Sequence, residues 1–214
     1  MPILYDLSPL ISPTLAVWPG DTPPTREVLL DLARGDSVTL STLRTTVHLG
    51  SHADAPSHYG LGAPDMADCA LDRFIGPCEV IRVPAGPREQ VTAGMLPATV
   101  RAPRVLLATG SHPDRRVLNG DFASLAPGAV DHLHHAGVIL VGTDAPSVDP
   151  LDSKDLPAHH RFLAHGMYIL EGLVLDGVPP GVYELIALPL RLVGFEASPV
   201  RAVLRQLSRE DPTG

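Results

Sequence analysis

The sequence predicts a single domain of mixed α and β structure in which strands outnumber helices. Three observations carry this. Short apolar runs at residues 104–109 and 137–143, the latter Gly-Val-Ile-Leu-Val-Gly-Thr, have the length and composition of buried strands. Residues 38–47 alternate and are rich in β-branched side chains, as half-buried strands are. A chain of 214 residues with no repeat, low-complexity stretch or linker is long enough for one sizeable core.

The elements follow in order. Residues 3–7 alternate like a strand. Ser12-Pro13, Trp18-Pro19-Gly20-Asp21 and Thr22-Pro23-Pro24 mark 12–25 as a loop. After the strand at 38–47, residues 65–73 read as a short helix and 78–84 as a strand. The stretch 120–136 accommodates one or two helices. Asp152-Ser153-Lys154 and Pro157 signal a helix start, Gly166 closes that helix, and 167–175 follows as a strand. Residues 183–192 are apolar, but Pro189 makes them an edge or a bend. The domain is read over residues 1–208, with a polar tail at 209–214.

Composition excludes several function classes. At 44% hydrophobic residues the chain is too apolar for disorder, and no apolar run approaches the roughly 18–20 residues of a membrane span. Net charge is −8, Lys154 is the single lysine and no basic run occurs, which argues against a nucleic-acid partner. Met1-Pro2-Ile3-Leu4-Tyr5-Asp6 lacks the basic start and apolar stretch of a signal peptide, so cytoplasmic residence is the expectation. Cys69 and Cys78 are too few for a disulfide scaffold or a Cys-rich zinc site, and a reducing compartment disfavours a bridge between them. The ten histidines matter because they cluster.

The densest cluster is His48-Leu49-Gly50-Ser51-His52-Ala53-Asp54-Ala55-Pro56-Ser57-His58. A helix would put His48 and His52 on one face, but Thr45-Thr46-Val47, Gly50 and Pro56 oppose a helix. On a straight strand the even positions share a face yet span about 13 Å, too far for one ion with Zn–N distances of about 2.0–2.1 Å. The chain must bend, and Gly50-Ser51 is the place for it. Such a loop converges His48, His52 and Asp54 into a metal site. The plainer alternative is a set of solvent-facing histidines.

Glu171 is the second anomaly. It sits in the strand-like run Met167-Tyr168-Ile169-Leu170-Glu171-Gly172-Leu173, where an unpaired carboxylate is very costly to bury. Its partner is either an arginine or a metal cation. Just before it, Ala158-His159-His160-Arg161-Phe162-Leu163-Ala164-His165-Gly166 reads as a helix. Asp144 follows the apolar strand at 137–143, where either a site residue or a turn-forming Asp belongs.

Residues 48–58 are similar to the His-x-Gly-Thr-His-x-Asp-x-Pro-x-His signature of the cyclase-like metal-dependent hydrolases, with Ser51 where Thr is usual. Val17-Trp18-Pro19-Gly20-Asp21-Thr22-Pro23, Ser153-Lys154-Asp155-Leu156-Pro157-Ala158-His159, Ile169-Leu170-Glu171-Gly172, Tyr183-Glu184-Leu185-Ile186-Ala187-Leu188-Pro189-Leu190 and 197–204 resemble the bacterial kynurenine formamidases of that family. The resemblance runs from about residue 3 to 207. It implies an α/β sandwich around a partly closed, barrel-like β core with flanking helices, commonly assembled as a homodimer. It implies two zinc ions: His48, His52 and Asp54 on the first, Asp54 and Glu171 bridging, and His159 on the second, with His160 the runner-up. His58 would be the acid/base and Trp18 would line the substrate pocket. The plainer roles are orientation of a ligand for His58 and packing for Trp18.

The implied reaction is hydrolysis of N-formyl-L-kynurenine to L-kynurenine and formate, a step of tryptophan degradation. Two metals about 3.5–4 Å apart need bridging oxygens, which Asp54 and Glu171 can supply and imidazoles cannot. The rivals are another amide or lactam hydrolase of the family, such as an isatin-hydrolase-like enzyme, and a non-catalytic metal-binding protein. A serine hydrolase is disfavoured because no Gly-x-Ser-x-Gly elbow occurs.

Overall fold

A computed structural model describes residues 3–207, so the polar tail expected at 209–214 lies outside the described residues. Among them run thirteen strands: β1 (Leu4–Asp6), β2 (Thr25–Leu30), β3 (Leu40–Arg44), β4 (His52–Asp54), β5 (Ile75–Arg82), β6 (Gln90–Val91), β7 (Arg104–Ala108), β8 (Ser124–Leu125), β9 (Leu140–Thr143), β10 (Tyr168–Glu171), β11 (Gly181–Ile186), β12 (Ala197–Pro199) and β13 (Val203–Gln206). Two α-helices, α1 (Pro127–His135) and α2 (Pro157–His165), accompany them.

Nine strands form one curled half-barrel sheet in the order β1-β13-β11-β5-β7-β9-β10-β4-β12. Its centre, β5-β7-β9-β10, is parallel, and both flanks are antiparallel. Parallel neighbours need long crossovers, and α1 and α2 lie in those between β7 and β9 and between β9 and β10. Alternation divides the buried side chains between the two faces. Val105, Leu107, Val141 and Ile169 face Val130 and Leu133 of α1 and Phe162 of α2. Leu106, Leu140, Leu170, Leu185 and Leu204 point the other way into a second cluster made by the curled sheet and its loops. The expectation of a mainly β core with flanking helices therefore holds.

Several element readings shift. Residues 65–73 form two separate 3₁₀ turns, Met66–Asp68 and Leu71–Arg73, rather than one helix, because Asp65 caps the first turn and extended Cys69 ends it. The strand expected over 183–192 is Gly181–Ile186 and stops before Pro189. The strand after α2 ends at Glu171, since Gly172 turns the chain at φ 65°. A Cβ at Gly172 would lie 2.2 Å from the Gly50 carbonyl oxygen, so only glycine fits there. Cys69 and Cys78 are buried and free.

β2 and β3 form a separate ribbon that the sequence reading did not pair. Its pairs Arg26–Leu43 and Val28–Ser41 share one face, the register shift between Val28 and Leu30 turns Leu30–Leu40 to the other, and all eleven residues of the two strands are exposed. No helix among the described residues is long and apolar enough to cross a membrane.

Candidate metal centre and cavity

The register of three strands builds the site. β4 runs antiparallel to β10, which places Ile169 opposite Asp54 and Glu171 opposite His52. These four residues share the sheet face against which α2 packs, so His159 reaches the same spot from the helix. The bend expected at Gly50-Ser51 is present: Gly50 has φ 58°, and the Ser51 hydroxyl donates to the carbonyls of Leu7 and Gly172. It brings His48 back beside Asp54.

Asp54 is at the centre. His48 Nδ1 is 3.3 Å and His52 Nε2 3.5 Å from its Oδ1, and His159 Nε2 is 3.6 Å from its Oδ2. Glu171 repeats the pattern, with Oε2 3.4 Å from His52 Nε2 and Oε1 3.7 Å from His159 Nε2. Each carboxylate thus turns one oxygen toward His52 and the other toward His159. His160 is exposed and stays outside the cluster, while His159 is buried.

These residues fit a metal. Both Asp54 oxygens, His48 Nε2 and His52 Nε2 are buried and have no hydrogen-bond partner among the described residues, a situation that native interiors avoid. Two ligands at about 2.0–2.2 Å from a tetrahedral ion lie about 3.4 Å apart, which is the spacing seen between these nitrogens and oxygens. Donor atoms converge within 4.8 Å in two sets, His52/Asp54/Glu171 and His48/Asp54/His58. His58 is therefore near enough to Asp54 to be a ligand as well as a proton carrier. Its ring is 4.4 Å from that of His48.

Outer partners aim the rings. His52 Nδ1–H donates to the Gly50 carbonyl at 3.1 Å, and His159 Nδ1–H donates to Asp149 Oδ2 at 2.7 Å. Each bond directs Nε2 at the carboxylates, the arrangement that orients metal-ligating histidines. Asp149 also accepts from the backbone N–H groups of Ala158 and His159. It thereby caps α2, whose preceding residue Leu156 sits in the left-handed region at φ 42° and offers no side-chain cap. Glu171 Oε1 accepts from Val148 N–H at 2.7 Å.

Asp149 was not singled out in the sequence, because only the fold carries it to His159. Tyr59 was missed too: its hydroxyl is buried without a partner and its ring lies 5.1 Å from His159. Asp144 proves to be a structural clamp. Its carboxylate accepts from Thr109 N–H, the Thr109 hydroxyl and Gly110 N–H, tying the end of β7 to that of β9.

The cluster forms one wall of a cavity of about 410 Å³. Trp18, His58, His112 and Arg115 also line it. Trp18 is half-buried, with Phe122 behind it at 6.3 Å between ring centres. The loop expected at 12–25 thus carries an aromatic ring to the cavity.

Relatives share this fold along nearly the whole chain. A structure described as a potential metal-dependent hydrolase with cyclase activity is 26% identical at a TM-score of 0.84, covering 97% of this chain and 100% of that one. A predicted metal-dependent hydrolase from Bacillus stearothermophilus is also 26% identical, with a TM-score of 0.80 and the same coverage. Isatin hydrolase A from Labrenzia aggregata, solved with benzyl benzoate, has the same fold at 22% identity and a TM-score of 0.83, covering 97% of this chain and 94% of its own. Fold, donor set and relatives together define a metal-dependent hydrolase. Residues 5–150 match the model of the Cyclase family, and the chain belongs to that family.

Protonation of the cluster follows from its geometry. Burial alone would lower the pKa of His52 and His159, but neighbouring carboxylates outweigh it. Glu171 and Asp54 raise His52 to about 9, and Asp149, Asp54 and Glu171 raise His159 to about 10. Burial would raise Asp54, yet His159, His48 and His52 hold it well below the usual carboxylate range. Without a metal, both imidazoles are protonated at neutral pH. Their contribution to stability is fully present below about 6.5 and is lost as pH rises through about 9 to 10. A metal must displace those protons, so its affinity has the opposite trend. Calorimetric zinc titration should show affinity rising between pH 6 and 8, by up to about tenfold per unit for each proton displaced, with protons released to the buffer. Equal affinity at both pH values, without proton release, would show that these rings are not ligands.

Proposed function

We propose that this hydrolase converts N-formyl-L-kynurenine and water to L-kynurenine and formate, using two zinc ions. His48, His52 and Asp54 would hold the first and His159 the second, with Asp54 and Glu171 shared between them. The observation that carries this reading is the continuity of one cavity. It joins the His/carboxylate cluster to the Trp18 ring, so a hydrolysable amide at the cluster and its aryl group against the indole fit together. The formamidase-like stretches of the sequence support the choice of substrate, and the two-sided carboxylates support two ions rather than one.

When bound, such cations polarise a carbonyl oxygen and lower the pKa of water. The chain's residues supply the rest. Trp18 offers a flat apolar face to the aryl ketone, and Pro19 stiffens its loop. His58 lines the cavity beside the cluster. Burial lowers its pKa against the raising pull of Asp54, so the ring is neutral near pH 7 and free to accept a proton. It takes the proton from the attacking water and passes it to the aryl nitrogen. That nitrogen must gain a proton as the formyl C–N bond breaks and kynurenine leaves as a neutral amine.

We also propose a homodimer. The β2–β3 ribbon exposes apolar side chains on both faces, Val28 and Leu43 on one and Leu30 and Leu40 on the other, and an isolated two-stranded ribbon is marginal without cover. A light-scattering mass of twice 22.7 kDa is expected, and a monomer would refute this arm alone.

The test of function is turnover of N-formyl-L-kynurenine beside isatin and an aliphatic formamide. The formylated aryl substrate should be hydrolysed best, chelation should abolish the activity and Zn²⁺ should restore it. Preference for isatin would transfer the site to lactam hydrolysis, and activity in demonstrably metal-free protein would end the metal reading.

His58→Ala should lower kcat by about 10²–10⁴ while metal content stays at the wild-type level. Loss of metal together with activity would make His58 a ligand instead, as its distance from Asp54 permits.

A further inference from the structure

We infer that Arg115 is the receptor for a carboxylate on the substrate, so that the cavity selects aryl amides bearing an acidic group. This rests on reading the cavity as an aryl-amide site. Arg115 lies on the wall shared with Trp18 and the His/carboxylate cluster. Its Nη1 donates to the Asp144 carbonyl at 2.5 Å and its Nη2 to the Leu173 carbonyl at 2.7 Å. Two neutral carbonyls fix the guanidinium plane, while the carboxylates of Asp144 and Asp176 act on it through space without a hydrogen bond. No carboxylate oxygen among the described residues forms an ion pair with it. The Asp144 carboxylate directs its hydrogen bonds to Thr109 and Gly110, so the free N–H groups of Arg115 are not spent on it.

A guanidinium has five N–H donors, and two are used here. A half-buried guanidinium on a cavity wall, with unused donors and no hydrogen-bonded carboxylate, favours an anion of matching shape, and a carboxylate meets that fork with two parallel bonds. Arg104 shows that carbonyl-only bonding alone is not enough. It donates to Asp72, Arg73 and Pro77 carbonyls, but it lines no part of this cavity. Arg115 combines the same fixing bonds with an open side toward the substrate space.

The position is also held relative to the aromatic wall. Ala16 N–H donates to the Arg115 carbonyl at 2.9 Å, so the loop carrying Trp18 is tied to the residue carrying the charge. Aryl face and cation therefore keep a constant relation. N-Formyl-L-kynurenine carries its amino-acid carboxylate on a chain extending from the aryl ketone, at the end away from the formamide.

The experiment is calorimetric binding of L-kynurenine and of 2-aminoacetophenone, the same aryl ketone without the amino-acid group, to zinc-loaded protein. Wild type should bind L-kynurenine at least tenfold more tightly. Arg115→Gln should weaken L-kynurenine by about 10- to 100-fold and leave 2-aminoacetophenone unchanged, and Arg115→Lys should recover part of the loss. Equal weakening of both ligands, or an undiminished preference, overturns the proposal. If Arg115→Gln fails to fold, wild type with L-kynurenine and its methyl ester decides: equal affinity overturns the proposal, and preference for the acid supports it. Turnover of formanilide, which has no carboxylate, reads the amide-hydrolase assignment separately. If wild type does not cleave it or N-formyl-L-kynurenine, that assignment fails while the binding comparison still stands.

Discussion

The structure is organised around one carboxylate with no access to solvent and no hydrogen bond to satisfy it. Asp54 has zero exposure, and neither oxygen has a hydrogen-bond partner among the described residues. An ionised carboxylate in that position is untenable unless positive charge stands beside it. Glu171 aggravates the problem by bringing a second buried carboxylate to the same place. His52 and His159 answer the pair by holding protons, and a cation shared with His48 would answer it in their place. This constraint explains why the local structure tolerates so little variation: the Gly172 turn against Gly50, the buried Ser51 hydroxyl bridging two carbonyls and the Asp149 cap of α2 all fix donors around that charge.

The topology places that problem where it can be useful. Parallel strands β9 and β10 end at Thr143 and Glu171, and β4 meets β10 in the opposite sense. Open parallel sheets gather sites at the carboxyl ends of their strands, where loops and helix starts converge. Here the antiparallel β4 contributes the histidine-rich bend, and the helix leading into β10 contributes His159. Three segments distant in sequence thus meet on one face of one strand pair.

Much of the centre was legible in the sequence because its chemistry conflicts with its surroundings. Glu171 interrupts an apolar strand, and the histidines at 48, 52 and 58 alternate with residues that forbid a helix. A bend at Gly50 was required for any convergence, and the backbone adopts it. The Pro157 and Gly166 signals located α2 for the same reason: they restrict the backbone directly. Less was legible where pairing supplies the structure. β12 and β13 are three and four residues long and exist because neighbouring strands accept their hydrogen bonds. β2 has charged residues at Arg26 and Glu27 followed by the unbroken run Val28-Leu29-Leu30, so it shows no alternation to read. Asp149 and Tyr59 are unremarkable residue types whose importance lies in what the fold sets beside them.

The charges of the cavity divide its work by position. Without a metal, the two carboxylates of the cluster are balanced by the protons on His52 and His159. With cations in place of those protons the cluster would become a local positive centre, and an amide carbonyl is a group it would draw. A substrate carrying both an amide and a carboxylate consequently presents two groups that a single positive centre could confuse. A second cation at another part of the wall resolves that ambiguity only if it cannot swing toward the first. Arg115 satisfies this condition, because its guanidinium is tied to the carbonyls that follow β9 and β10 and its backbone to the Trp18 loop. Orientation in this cavity is therefore a property of the backbone geometry at the ends of two strands, the same geometry that brings Glu171 to Asp54.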